Sequence, residues 1–279
     1  MTKIKISILN QDSQVKQGKN DYEEFSREMS SEMDNQCYLS TQDLSLEDGD
    51  QIIVELDEKN QFLVVKLDET LDSTMIFVPE KRFTYHVQLS ENARNAQSDL
   101  KFTGKRHYFS ARLAYDFEIS NYQNLSQNTH DQKDFAGAYP HAHANVETRN
   151  DATFFAANAI DGIQATHSHG EYPYQSWGIN QQADAALTID FGRRVLVNRV
   201  GLTLRADFPH DSFWEEVTIV FSDGSAEKFQ TKKSDQMQFF DFSNHQVTSI
   251  TLQNLKKAQD ESPFPALTEL ALFGSNILK

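Results

Sequence analysis

Apolar residues recur at every second position in one short segment after another. Ile4, Ile6 and Ile8 alternate with Lys3, Lys5 and Ser7; Ile52, Val54 and Leu56 keep the same rhythm, as do Phe83, Tyr85 and Val87. Further on, Leu187, Ile189 and Phe191, then Val200, Leu202 and Leu204, then Val217, Ile219 and Phe221 repeat it. A period of two puts the apolar side chains of an extended segment on one face, so each stretch reads as a half-buried strand. Turn chemistry separates them. Asp57-Glu58-Lys59-Asn60 predicts a hairpin returning through Phe62 to Leu67. Asp223-Gly224, inside Phe221-Ser222-Asp223-Gly224-Ser225, predicts a second hairpin with Phe229 on the return strand. Pro79 ends the segment 74–78, because proline cannot donate to a ladder. The helical expectation is Tyr22 to Met33, where Phe25, Met29 and Met33 recur every four residues as one apolar stripe. The expected class is all-β.

The tract 119–133, ISNYQNLSQNTHDQK, is rich in Asn, Gln and Ser and carries no alternation. It divides the chain into a smaller, mostly-β domain over residues 1–118 and a second domain over 119–279. The first carries no site motif. In the second, Met237 to Phe242, Val247 to Leu252 and Leu267 to Phe273 complete about seven or eight strands, whose spacing suits an antiparallel sandwich.

Lys and Arg number 26 against 41 Asp and Glu, a formal charge of −15. That disfavours phosphate-backbone and anionic-membrane partners, so neither nucleic acid nor a membrane is expected, and a neutral ligand or a cation fits better. Nothing in the sequence fixes an oligomeric state. Cys37 is the single cysteine, which excludes an intrachain disulfide. The N-terminal MTKIKISILNQDSQ lacks the apolar core of a signal peptide, and no apolar run approaches the roughly 20 residues of a membrane span. The expected compartment is the cytoplasm.

From Asn124 to Gly274 a series of marks falls in a familiar order. These are Asn124-Leu125-Ser126, Asn158-Ala159-Ile160-Asp161-Gly162, Trp177, Leu187 to Gly192, Phe221 to Ser225, and the terminal Leu270-Ala271-Leu272-Phe273-Gly274. In this order the chain resembles the discoidin-like, galactose-binding-domain-like family, jelly-roll β-sandwich modules often attached to carbohydrate-active proteins. The resemblance implies a structural calcium beside the Asp-Gly turn, with Asp161, Thr166 and Glu269 as side-chain ligands. Oxygen donors of this kind suit that ion. Ile163 and Ala165 depart from the family, which often places acidic or amide residues there.

The stretch Phe154 to Gly178 packs the most site-type chemistry into the fewest residues. Sugar recognition needs a flat aromatic and fixed groups that bond to hydroxyls. One segment offers His169, Glu171, Tyr172, Tyr174 and Trp177. Another, Arg205 to Trp214, offers Arg205, Asp207, His210 and Asp211 with neighbouring aromatics. Trp177 is open between core packing and a ligand platform. Trp214, beside Glu215 and Glu216, reads as the exposed platform, and Phe264 between two prolines as a rim. The leading reading is a non-catalytic carbohydrate-binding protein, since no nucleophile elbow, P-loop, dinucleotide fingerprint or zinc-helix motif occurs. A metal-dependent enzyme built on His141, His143, His167 and His169, with His210 as a further ligand, is one alternative. An assembly module using Phe213 and Trp214 is the other.

Overall fold

A computed structural model describes residues 1–206 and 212–277. The chain forms two compact units, Met1–Tyr115 with Ala136–Ala138, and Asp116–Phe135 with Tyr139–Lys279. The division falls slightly before the expected position. The return of 136–138 to the first unit is a main-chain matter, because Thr84 N donates to Ala136 O at 2.9 Å.

The first unit contains Lys3–Leu9 (β1), the short pair Gln17–Gly18 (β2) and Arg27–Glu28 (β3), Ser30–Asp34 (β4), Gln36–Thr41 (β5), Gln51–Leu56 (β6), Gln61–Lys66 (β7), Thr74–Val78 (β8), Arg82–His86 (β9) and His107–Leu113 (β10). They make two four-stranded sheets, β4-β1-β6-β9 and β5-β10-β7-β8. Ile4, Ile6, Ile8, Ile52 and Val54 from one sheet share a core with Leu39, Leu63, Val65 and Phe109 from the other.

Two expectations fail in this unit. β6 and β7 do not form a hairpin. β6 pairs with β1 and β9, and β7 with β10 and β8, so residues 57–60 carry the chain from one sheet to the other. The turn is held from outside: Lys3 N donates to Asp57 Oδ1 at 2.8 Å, and Asn60 N to Pro79 O at 3.1 Å. The stretch 22–33 is not a helix but a turn followed by two short strands, with Met29, between them, fully buried and Phe25 exposed. A spacing of four is also twice the strand period, so the Met29–Met33 interval fits either structure.

The second unit contains Gln123–Asn124 (β11), His141–Ala144 (β12), Trp177–Gly178 (β13), Leu187–Leu204 (β14), Trp214–Phe221 (β15), Ala226–Gln230 (β16), Gln238–Lys257 (β17) and Ala266–Asn276 (β18). All pairings are antiparallel, in the order β11-β18-β14-β17-β15-β16, with β12 on β14 and β13 on β18. The Asp223-Gly224 hairpin forms as its turn residues dictate: Gly224 has φ +88° and donates to Phe221 O.

β14 is one strand where the sequence reads as two. Leu187, Ile189, Phe191, Val195 and Val197 are buried at odd positions, Val200, Leu202 and Leu204 at even ones. The change of phase coincides with a register shift between Val197 and Arg199. One extra residue in a bulge moves every later side chain to the opposite face and bends the strand. All these residues belong to one buried cluster with Trp177, Trp214, Ile219 and Leu270.

Candidate functional site

The segment joining β12 to β13 builds the site. It is wound into short 3-10 turns, Thr148–Asn150, Ala152–Phe154 and Ala156–Ile160. Asp151 shapes the middle one by accepting from Thr153 N and Thr153 Oγ1. Gly178 lets β13 pass close by: a β-carbon there would stand 2.8 Å from Thr148 Oγ1 and 2.9 Å from Phe154 Cδ1.

Between these pieces lies a cavity of about 310 Å3. Phe154 forms one wall. The guanidinium carbon of Arg149 lies 5.6 Å from the centre of its ring, and that of Arg205 lies 5.9 Å from it. Arg205 is buried, and its Nη1 donates to Ser176 Oγ at 3.3 Å. His169, Asn180 and Gln181 bring further polar groups to the lining, and Phe264 and Pro265 bring apolar ones. Phe264 is 52% exposed. Arg149, Asn150, Asn180 and Gln181 all hold left-handed backbone, φ 55°, 52°, 48° and 59°. Asparagine tolerates that region, whereas Arg149 and Gln181 each bear about 1 kcal/mol of strain, and such strain collects at ligand sites. Thr148 Oγ1 ties the two turns together by accepting from Asn180 N at 2.9 Å.

The sequence-derived candidates separate on this geometry. His169 and Arg205 line the cavity. Glu171 and Tyr174 do not: they sit on the preceding loop, where Tyr174 N donates to Glu171 O. Asp207 and His210 lie outside the described residues. Trp177 is fully buried, its Nε1 donating to Val146 O at 2.9 Å. Trp214 is 1% exposed, which corrects the platform reading and removes the basis for an aromatic assembly surface there. The cause is a register shift between Trp214 and Glu216, which changes the parity of β15 and turns Trp214 to the side of Val217 and Ile219. Arg149, Phe154, Asn180 and Gln181 escaped the sequence reading as a site. Their one local signal is asparagine at 150 and 180, each beside a second left-handed residue.

The Asp-Gly turn forms a second polar centre. Ile163 N donates to Asp161 Oδ1 at 2.7 Å, and Gln175 Nε2 to Asp161 Oδ2 at 2.9 Å. Gly162, at φ +85°, turns its N–H onto Glu269 Oε2 at 3.2 Å. Glu269 is 1% exposed on β18, and Thr166 is also buried. Burial, and then the charge of Asp161, push the Glu269 carboxyl well above the ordinary carboxylate range. A half-buried carboxyl group and a buried one meet at this turn, and carboxylate oxygens are the donors a hard cation takes.

The histidines do not converge. His141 Nδ1 donates to Asp131 Oδ1 at 2.9 Å, and Ala142 N holds the other carboxylate oxygen at 2.8 Å. His143 pairs with Asp190 at 3.3 Å, and His167 lies 3.6 Å from Asp235. Among the described residues no three His, Cys, Asp or Glu side chains gather as metal ligands, so these four build no histidine metal centre. Burial by itself lowers the His141 imidazolium, but Asp131, with Asp190 and Asp134, more than offsets this and raises it. Burial also raises Asp131. The pair therefore keeps its protons to higher pH than the same groups in water.

No protein-family model matches the chain, and no curated protein does. Solved structures it is similar to include carbohydrate-binding and lectin modules, each over about half of this chain. One is the family 32 carbohydrate-binding module of C. perfringens NanJ in complex with galactose, 16% identical, covering 55% of this chain and 99% of that one, with TM-score 0.40. A second is chitosan-binding module 1 of a chitosanase/glucanase from Paenibacillus sp. IK-5, 19% identical, covering 54% and 98%, with TM-score 0.37. A third is the lectin domain of lectinolysin complexed with Lewis B antigen, 14% identical, covering 55% and 97%, with TM-score 0.40.

Proposed function

We propose that this is a non-catalytic carbohydrate-binding protein whose second unit holds one end of a glycan in the Phe154 cavity. The observation that carries the reading is the pairing of an aromatic wall with fixed planar donors. Phe154 is flanked by the guanidinium groups of Arg149 and Arg205, and the amides of Asn180 and Gln181 complete the lining. The exposed ring of Phe264 supplies the flat surface a pyranose covers with its C–H face, Phe154 being buried in the wall, and guanidinium and amide groups bond to vicinal hydroxyls in a fixed geometry. About 310 Å3 is at the small end of ligand sites, which run from roughly 300 to 1,000 Å3, and suits one or two sugar rings.

A structural calcium beside this cavity belongs to the same reading. Asp161, Glu269 and Thr166 would hold it with loop carbonyls, and the ion would neutralise the two carboxylates at the Asp161-Gly162 turn. The test of the binding reading is a glycan array followed by calorimetry on the hits. Arg149→Ala and Phe264→Ala change exposed side chains and leave the core intact; each is expected to weaken binding tenfold or more. An array with no hit, or a hit indifferent to both substitutions, removes the reading.

A further inference from the structure

The lining of the Phe154 cavity is lopsided in charge. It includes Arg149, Arg205 and His169, and among the described residues it includes no Asp or Glu. This is so in a chain whose acids outnumber Lys and Arg by 41 to 26. A sugar hydroxyl both donates and accepts, so a neutral ring uses acceptors as well as donors. A guanidinium brings N–H donors and no acceptor, whereas a carboxylate brings acceptors alone. A lining with two guanidinium groups and no carboxylate therefore matches a ligand rich in acceptors.

Arg149 is the group placed to meet it. Its side chain is 69% exposed, and its guanidinium carbon stands 5.6 Å from the centre of the Phe154 ring. Nη2 donates to Asp151 Oδ2 at 3.3 Å, long for a bond between charged groups. Asp151 gives its other oxygen to Thr153 N and Thr153 Oγ1, and it is not part of the lining. The rest of the Arg149 fork has no acceptor among the described residues. The backbone of Arg149, at φ 55°, is strained for arginine and would not be for glycine, and such strain collects at ligand sites. The net charge of the chain does not oppose an anion here. Screening in physiological salt acts over about 8 Å, so the groups in contact with the ligand decide.

We propose that the cavity takes an acidic sugar, a glycan end bearing a carboxylate or a sulfate ester, and that Arg149 holds the anionic group on its guanidinium fork. The proposal rests on the sugar-binding reading above and names the class of sugar. It also narrows the expectation drawn from composition, which favoured a neutral ligand or a cation. A planar fork meets two oxygens of one anionic group at once, which fixes the orientation of the sugar as well as its charge. Arg205, 5.9 Å from the same ring, adds a second positive charge to the cavity. The amides of Asn180 and Gln181 remain for the hydroxyls.

The test uses the full chain and matched pairs of glycans: uronic acid against hexose ends, sialylated against desialylated, sulfated against unsulfated. In calorimetry the acidic member of at least one pair is expected to bind about tenfold tighter than its neutral counterpart, the size of one hydrogen-bonded charge contact. Arg149→Gln keeps an amide but loses the charge and the fork. It is expected to remove that preference while leaving the affinity for the neutral member within about threefold of wild type. Neutral members bound as tightly as acidic ones overturn the proposal and leave the sugar-binding reading standing. A preference undiminished in Arg149→Gln overturns the part given to Arg149. Should that variant not fold, the methyl ester of a bound uronate removes the charge from the ligand instead, and unchanged affinity for the ester overturns the proposal. A chain that binds no glycan of either kind overturns the sugar-binding reading and this proposal together.

Discussion

Trp177 and Trp214 lie against each other in the core of the second unit, ring centroids 6.2 Å apart and planes tilted by 47°. β13 brings one and β15 the other, and both are closed to solvent. They differ in one bond. Trp177 Nε1 donates to Val146 O, whereas Trp214 Nε1 is buried without an acceptor among the described residues. Replacing either by Ala is expected to cost about 4 kcal/mol, as for large buried aromatics generally. Replacement by Phe separates them. Trp177→Phe leaves Val146 O unpaired and should cost about 1 kcal/mol more than Trp214→Phe in urea denaturation. Equal costs would show that the Val146 bond contributes nothing.

Gly178 is where stability and binding come apart. A methyl group there would strike Thr148 Oγ1 and Phe154 Cδ1, side-chain atoms of residues that line the cavity. Gly178→Ala is expected to cost about 1–2 kcal/mol through overpacking. Because it displaces Phe154, it should weaken glycan binding by more than the tenfold expected for the exposed-residue variants. Calorimetry on the best array hit checks this, and undiminished affinity would clear Phe154 of any part in binding.

Calcium should appear as stability before it appears as activity. A ligand of the folded chain alone, present a hundredfold above its Kd, adds about 2.7 kcal/mol. Chelation is therefore expected to lower the melting temperature, and added calcium to restore it. Glu269→Gln should melt at one temperature with or without calcium. A calcium-dependent shift that persists in this variant would move the ion away from Glu269.

His141 should make the second unit weaker at alkaline pH. Its imidazolium is raised by Asp131 against the pull of burial, so the folded chain holds this proton more tightly than the unfolded chain. Stability from the pair is therefore complete below the unfolded value of roughly 6.5 and is lost as pH rises through the folded one. His141→Gln breaks a buried pair and is expected to cost about 3 kcal/mol at pH 6 and clearly less at pH 9. Chemical denaturation at the two pH values measures the difference. An equal penalty at both would mean that the imidazole is neutral in the fold.

Much of the fold was legible in the residues. Alternation at 4, 6, 8 and at 52, 54, 56 marks strands because a half-buried sheet face admits no other period. Asp223-Gly224 marks its hairpin because the loop 222–224 ends on a residue at positive φ, which glycine adopts freely. The failures share a cause. Alternation tells which face of a strand is buried but not which strand lies beside it, so the run from β6 to β7 reads as a hairpin although it crosses between sheets. Parity is also local. A single bulge at Glu215 reverses it, and Trp214, flanked by acids in sequence, becomes core.

The sequence by itself determined the all-β class, the turn chemistry at Asp161-Gly162 and the types of residue available to bind a cation or a sugar. These follow from properties each segment carries alone, its period, its turn residues and its charge. Only the tertiary structure decided that Glu269, more than a hundred residues from Gly162, accepts its N–H. It also decided that Arg149 and Arg205 flank one phenylalanine ring, and that Trp177 and Trp214 fill the core. Contacts between segments distant in the chain depend on ladder register and on bulges, and these are set by the packing of the whole sheet at once.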